Sequence, residues 1–265
     1  MQRPLVRSSH AMALGQHRLR DAAAVRIVAS TGLAPPQLVF DLGAGDGQLT
    51  AALLSRYAKV VAVELDRAMW VQLKHRFRDE PRVNAVLGDL LVVELPARTP
   101  YKIIANVPYG VTARLMRRLL TVDHPPVEAF LVLQREAATK WAGVGHDTQA
   151  SILLKNVYVV DVVLALQRSD FLPRPASDSV LVSLNHRPRA CFAGRERVAF
   201  ESFVRRGFGD GRTTLLRNLG KPTDRRQFLE VLKAAGLDAG ARPHEAIFNV
   251  WADLFRLSQQ RRRHS

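Results

Sequence analysis

The sequence predicts an α/β fold: a mostly parallel, seven-stranded sheet with helices on its faces, followed by a small helical C-terminal domain. Three observations predict it. Short apolar runs alternate with helical patterns from about residue 38 to 135, two further β-rich runs follow, and only helix-like stretches remain beyond Arg187-Pro188-Arg189. Alternating strands and helices imply parallel pairing, because each crossover helix returns the chain to the same end of the sheet.

The elements follow in order. Leu38-Val39-Phe40 reads as a first strand, Val60-Val61-Ala62-Val63 as a second and Val83-Asn84-Ala85-Val86-Leu87 as a third. Lys102-Ile103-Ile104-Ala105 is a fourth and Phe130-Leu131-Val132-Leu133 a fifth. Residues 49–54 and 69–77 carry helical patterns between them. Runs 157–166 and 180–184 can extend the sheet as antiparallel partners. Helix-like stretches then cover about 196–207, 212–219, 224–235 and 244–258, separated at Gly207, Gly220-Lys221-Pro222 and between Gly236 and Pro243. The expected domains are therefore 1–187 and 188–265.

Lys and Arg number 39 against 24 Asp and Glu, a net charge of +15. Such an excess favours a polyanionic partner, and nucleic acid is preferred to a membrane because no run approaches the ~20 apolar residues of a span. No apolar secretory core follows the basic start, and the one cysteine, Cys191, excludes an intramolecular disulfide or a cysteine-only zinc site. Both fit the cytoplasm. His and Cys do not cluster, so no metal is expected.

Asp41-Leu42-Gly43-Ala44-Gly45-Asp46-Gly47 lies between a strand and a helix, where glycines let the backbone turn sharply and approach a ligand. Asp46 puts a negative charge where a dinucleotide's pyrophosphate would lie. Asp41 can orient the loop or reach a ligand ammonium. Glu64 ends the second strand, where an acid takes ribose hydroxyls, and Asp89 follows the third, where a carboxylate can accept from an adenine amine. Acids at three successive strand ends suit a cationic nucleoside carrying an amino acid, and S-adenosylmethionine is such a ligand.

The fourth strand runs into Asn106-Val107-Pro108-Tyr109. An adenine amine is a poor nucleophile because its lone pair is delocalised into the ring. The Asn106 side-chain oxygen and the Val107 carbonyl can accept both of its N–H bonds, Pro108 stiffens the turn, and Tyr109 can stack on the base. Phe171, in Phe171-Leu172-Pro173-Arg174-Pro175, reads equally as a second aromatic wall or as an ordinary core residue.

In these motifs the chain resembles the ribosomal RNA adenine N6-methyltransferases, which comprise the Erm macrolide-resistance enzymes and the KsgA-type small-subunit dimethylases. The resemblance runs from Leu14-Gly15-Gln16-His17-Arg18-Leu19 through the glycine loop, Glu64, Gly88-Asp89 and Asn106 to Tyr109. It continues through Gln134-Arg135-Glu136-Ala137 and Phe171 to Asp178-Ser179. It implies a Rossmann-like, S-adenosylmethionine-dependent methyltransferase whose first domain binds the cofactor and whose basic second domain binds RNA. Gln16, His17, Leu19, Asp41, Gly43, Gly45, Glu64, Asp89 and Asn106 would form the cofactor side; Tyr109 and Phe171 would sandwich the adenine. The family usually carries Asn-Phe where this chain has His17-Arg18. Trp251-Ala252-Asp253-Leu254-Phe255 and the arginine-rich tail look Erm-like, which implies a monomer acting on 23S rRNA and conferring macrolide, lincosamide and streptogramin B resistance. Thr213-Thr214-Leu215-Leu216-Arg217-Asn218 echoes the KsgA-type enzymes, so 16S rRNA is the alternative target. A non-catalytic RNA-binding relative of the same scaffold is a third reading.

Overall fold

The computed structural model describes residues 17–32, 37–209, 213–220 and 225–260. Its main sheet has seven strands in the order β4-β3-β2-β5-β6-β9-β7. These are β2 (Leu38–Leu42), β3 (Lys59–Glu64), β4 (Val83–Leu87), β5 (Lys102–Asn106), β6 (Glu128–Gln134), β7 (Tyr158–Leu166) and β9 (Ser179–His186). Strands β2 to β6 pair in parallel, and β9 lies antiparallel to β6. The expected mostly parallel, seven-stranded, Rossmann-like sheet is thus present. Its middle strands are apolar on both faces, as a parallel sheet covered on both sides requires: Val39, Leu42, Ile103, Ile104, Ala105 and Leu131 are fully buried.

The order of strands positions the site. From β2 the chain moves outward through β3 to β4, then returns to lay β5 against the other side of β2. The carboxyl ends of β2 and β5 therefore meet where the winding reverses, and open α/β sheets bind ligands in the crevice at such a point. Asp41 pairs in register with Ile104, which places the glycine loop after β2 beside Asn106 at the end of β5.

Sequence periodicity does not reveal the shortest strands. A two-stranded ladder joins β1 (Arg18–Leu19) to β8 (Phe171–Leu172), pairing Arg18 with Leu172 and Leu19 with Phe171. Leu19 and Phe171 are buried together with Ala23, Ala24 and Ile27 of α1 (Asp21–Ala29), which anchors the short ladder on the core.

Within the described residues the chain divides into two compact units. One takes the chain up to Ala137 with Asp161–His186; the other takes Ala138–Val160 with the chain from Arg187. The excursion 138–160 has no counterpart in a single cut at 187/188. Its physical reason is apolar: Ile152 packs among Phe192, Phe200, Phe203, Trp251 and Phe255. Asp147, almost fully buried, accepts from the Phe248 backbone N–H at 3.0 Å and so caps the last helix, Phe248–Gln260.

Candidate active site

The loop after β2 is a backbone device. Gly43, Gly45 and Gly47 have φ of 83°, 59° and 89°, the left-handed region that side chains disfavour. At Gly47 a Cβ would also lie 2.5 Å from Phe77 and 2.8 Å from Leu73, both packed side chains. Glu64 ties the loop to the end of β3: one carboxylate oxygen accepts from Gly45 N and the other from Asp66 N, both at 2.8 Å. Burial raises the Glu64 pKa, with these backbone N–H groups opposing the shift. Asp41, also buried, accepts from the Thr50 hydroxyl at 2.6 Å. Burial pushes its carboxyl up to about 7, the nearby Glu64 adds to this, and the Thr50 hydrogen bond opposes it.

Above this floor, Asn106 is held by the N-terminal ladder. Its Nδ2 donates to the His17 carbonyl at 2.7 Å. That bond fixes which way the amide faces and leaves Oδ1 as the acceptor. The ring of Tyr109 lies 5.2 Å from the His17 ring, tilted by 37°. His17 Nδ1 in turn donates to the Pro173 carbonyl at 2.8 Å. Burial raises the Tyr109 phenol, so the group is neutral at physiological pH.

The structure brings His17, Leu19, Asp41, Gly43, Gly45, Asn106, Val107, Pro108 and Tyr109 around one pocket, together with Arg18, Asp46 and Gln48. It does not bring Phe171 there. Phe171 is 1% exposed and packed in the core opposite Leu19, and the ring beside Tyr109 is His17. Glu64 and Asp89 stand at the ends of β3 and β4 but outside this lining, and Asp89 accepts from Leu91 N at 2.8 Å. Gln16 lies outside the described residues. Gln134 and Ser179 beside the Tyr109 hydroxyl went unread as site residues, although both fall in motifs quoted above.

The pocket fits the cofactor the fold implies. A cationic nucleoside suits a cleft floored by carboxylates, and Asp46 Oδ1 is buried there with no hydrogen-bond partner among the described residues. The glycine cradle admits a close approach: even a Cβ at Gly43 would come no nearer than 3.6 Å to Leu90 and 3.7 Å to Pro108.

Sheet order, glycine loop and asparagine turn together define a Rossmann-like methyltransferase. The model of the ribosomal RNA adenine dimethylase family matches residues 8–259, and the chain belongs to that family. A ribosomal RNA small subunit methyltransferase A of Synechococcus sp. (strain JA-3-3Ab) is 34% identical over 252 residues, covering 91% of this chain and 90% of its own. A protein of the same name from Pelotomaculum thermopropionicum is 32% identical, covering 91% and 88%. Among solved structures, the 23S rRNA methyltransferase ErmE superposes with a TM-score of 0.82 at 27% identity, over 91% of this chain and 99% of that one. A dimethyladenosine transferase from Plasmodium falciparum shares the fold, with a TM-score of 0.69 at 23% identity over 92% and 98%.

Proposed function

We propose that the protein methylates the exocyclic N6 of an adenine in 23S ribosomal RNA, using S-adenosylmethionine. The observation that carries this reading is the Asn106 amide, turned by the His17 carbonyl so that Oδ1 is left to accept beside the Tyr109 ring. When bound, S-adenosylmethionine supplies a methyl group already activated on a cationic sulfur. The chain must then prepare the amine. Asn106 Oδ1 and the Val107 carbonyl accept its two N–H bonds and favour a tetrahedral nitrogen whose lone pair is free to attack. Tyr109 holds the ring plane, and alignment of this kind is a large part of what an enzyme contributes. The methylated amine is acidic and gives its proton to solvent, so no strong base is needed. The adenine must be unpaired or turned out of its stack to enter.

The ErmE superposition and the Trp251 to Phe255 motif support 23S rRNA as the target, at an unpaired adenine of the peptidyl-transferase region. Methylation there would lower macrolide, lincosamide and streptogramin B binding in the cytoplasm. The names of the small subunit methyltransferase A relatives support a second target, 16S rRNA. In either case the exposed Arg195, Arg205, Arg206, Arg217 and Arg225 of the second unit suit an RNA backbone. Mass mapping of methylated adenines after expression in a naive host tests both. Modified 23S rRNA is the expected result; modification confined to 16S rRNA would transfer the target, and none in either would overturn the activity.

Tyr109 offers a second check. Tyr109→Phe keeps the stacking plane and should stay within a fewfold of wild type in kcat/KM for RNA. Tyr109→Ala removes it and should cost about 1–3 kcal/mol, as base stacking does. Equal losses in both would shift the role from the ring to the hydroxyl.

A further inference from the structure

Arg18 lines the pocket and has no part in the methyl transfer to the adenine amine. We propose that it receives the α-carboxylate of the methyl donor's amino-acid portion while Asp46 receives the neighbouring ammonium. The proposal rests on the reading of the pocket as an S-adenosylmethionine site and names the chain groups that meet the donor's zwitterionic end.

Among the described residues that line the pocket, Arg18 is the one lysine or arginine; Asp41 and Asp46 are its carboxylates. A ligand carboxylate entering this cleft meets like charge unless a cation receives it. Arg18 starts from a fixed place, because β1 is paired to Leu172 and its neighbour His17 is bonded through its carbonyl to Asn106. Its Nη1 already holds a carboxylate oxygen, Asp46 Oδ2, at 2.5 Å, which demonstrates reach across the pocket mouth. A guanidinium carries more N–H donors than one carboxylate uses, so a second oxyanion can be shared in the same plane. The Arg18 side chain is 48% exposed, and an ion pair so exposed is held weakly enough to rearrange around a ligand. The other oxygen of Asp46, Oδ1, is buried without a partner among the described residues, and an ammonium satisfies it. The family's usual phenylalanine at this position has no charge to offer, so the substitution changes how this chain reads its donor.

The competing role is mechanical: Arg18 pins β1 to the glycine loop and touches no ligand. Calorimetric binding to the purified protein separates the two, using S-adenosylhomocysteine and its decarboxylated analogue as probes. Arg18→Gln should weaken S-adenosylhomocysteine about tenfold, leave the decarboxylated analogue within about twofold, and flatten the salt dependence of the former. Arg18→Lys should restore most of the loss. Equal weakening of both ligands, or none, would overturn the assignment to Arg18. Failure of the wild-type protein to bind either ligand would instead overturn the donor site itself, and this proposal with it.

Discussion

Asn106→Ala is expected to lower the rate of methyl transfer by about 10²–10³-fold while the protein still folds and still binds the methyl donor. The magnitude follows from removing one preorganised polar group aimed at the reacting atom. The half-buried amide donates to the His17 carbonyl at 2.7 Å. Its loss leaves that carbonyl short of a donor, which costs about 1 kcal/mol of stability. The effect on rate should therefore far exceed the effect on melting. Single-turnover rates on RNA, set beside a thermal melt and a donor titration, separate them. Wild-type turnover in a well-folded variant would remove Asn106 from the mechanism; a collapse of donor binding equal to the loss in rate would make it a cofactor residue only.

Much of this geometry is legible in the sequence, for identifiable reasons. The sheet strands are runs of β-branched and apolar residues long enough to stand out, and the acids and the asparagine turn fall at their carboxyl ends. Position along the chain thus gives position in the crevice. What escapes is decided by pairing between distant segments. The ladder of β1 and β8 has only two residues a side, too short for any periodicity, yet its Leu19–Phe171 pairing takes Phe171 into the core. The same ladder brings His17 to Asn106 and Tyr109, and Arg18 to Asp46, contacts that no local pattern encodes. Residues 138–160 likewise carry no local signal of the unit they join; only the packing of Ile152 among the aromatic residues around Trp251 reveals it.

Asp41 gives the protein a stability that falls as pH rises from its unfolded value of 3.8 to about 7. Its carboxyl is raised from 3.8 to about 7, chiefly by burial. The folded state therefore holds a proton that the unfolded state has released, and the sign follows. Below the unfolded value both states are protonated and Asp41 contributes nothing. Between that value and about 7 the native state binds more protons, so stability declines with each step in pH. Above about 7 both states are ionised and the full penalty is present, up to about 4 kcal/mol for a shift of this size. Asp41→Asn keeps an oxygen for the Thr50 hydroxyl but cannot ionise. Denaturant midpoints measured at pH 5 and pH 8 should diverge in the wild type and converge in the variant; parallel pH dependence in the two would place the titration elsewhere. The same proton links Asp41 to its ligand. A cationic donor beside Asp41 favours the carboxylate, so binding near pH 6 should release a proton. Calorimetric binding enthalpies should then vary with the ionisation enthalpy of the buffer in the wild type, and that dependence should vanish in Asp41→Asn. If the dependence survives in the variant, the floor of the pocket is not where the donor's charge is felt.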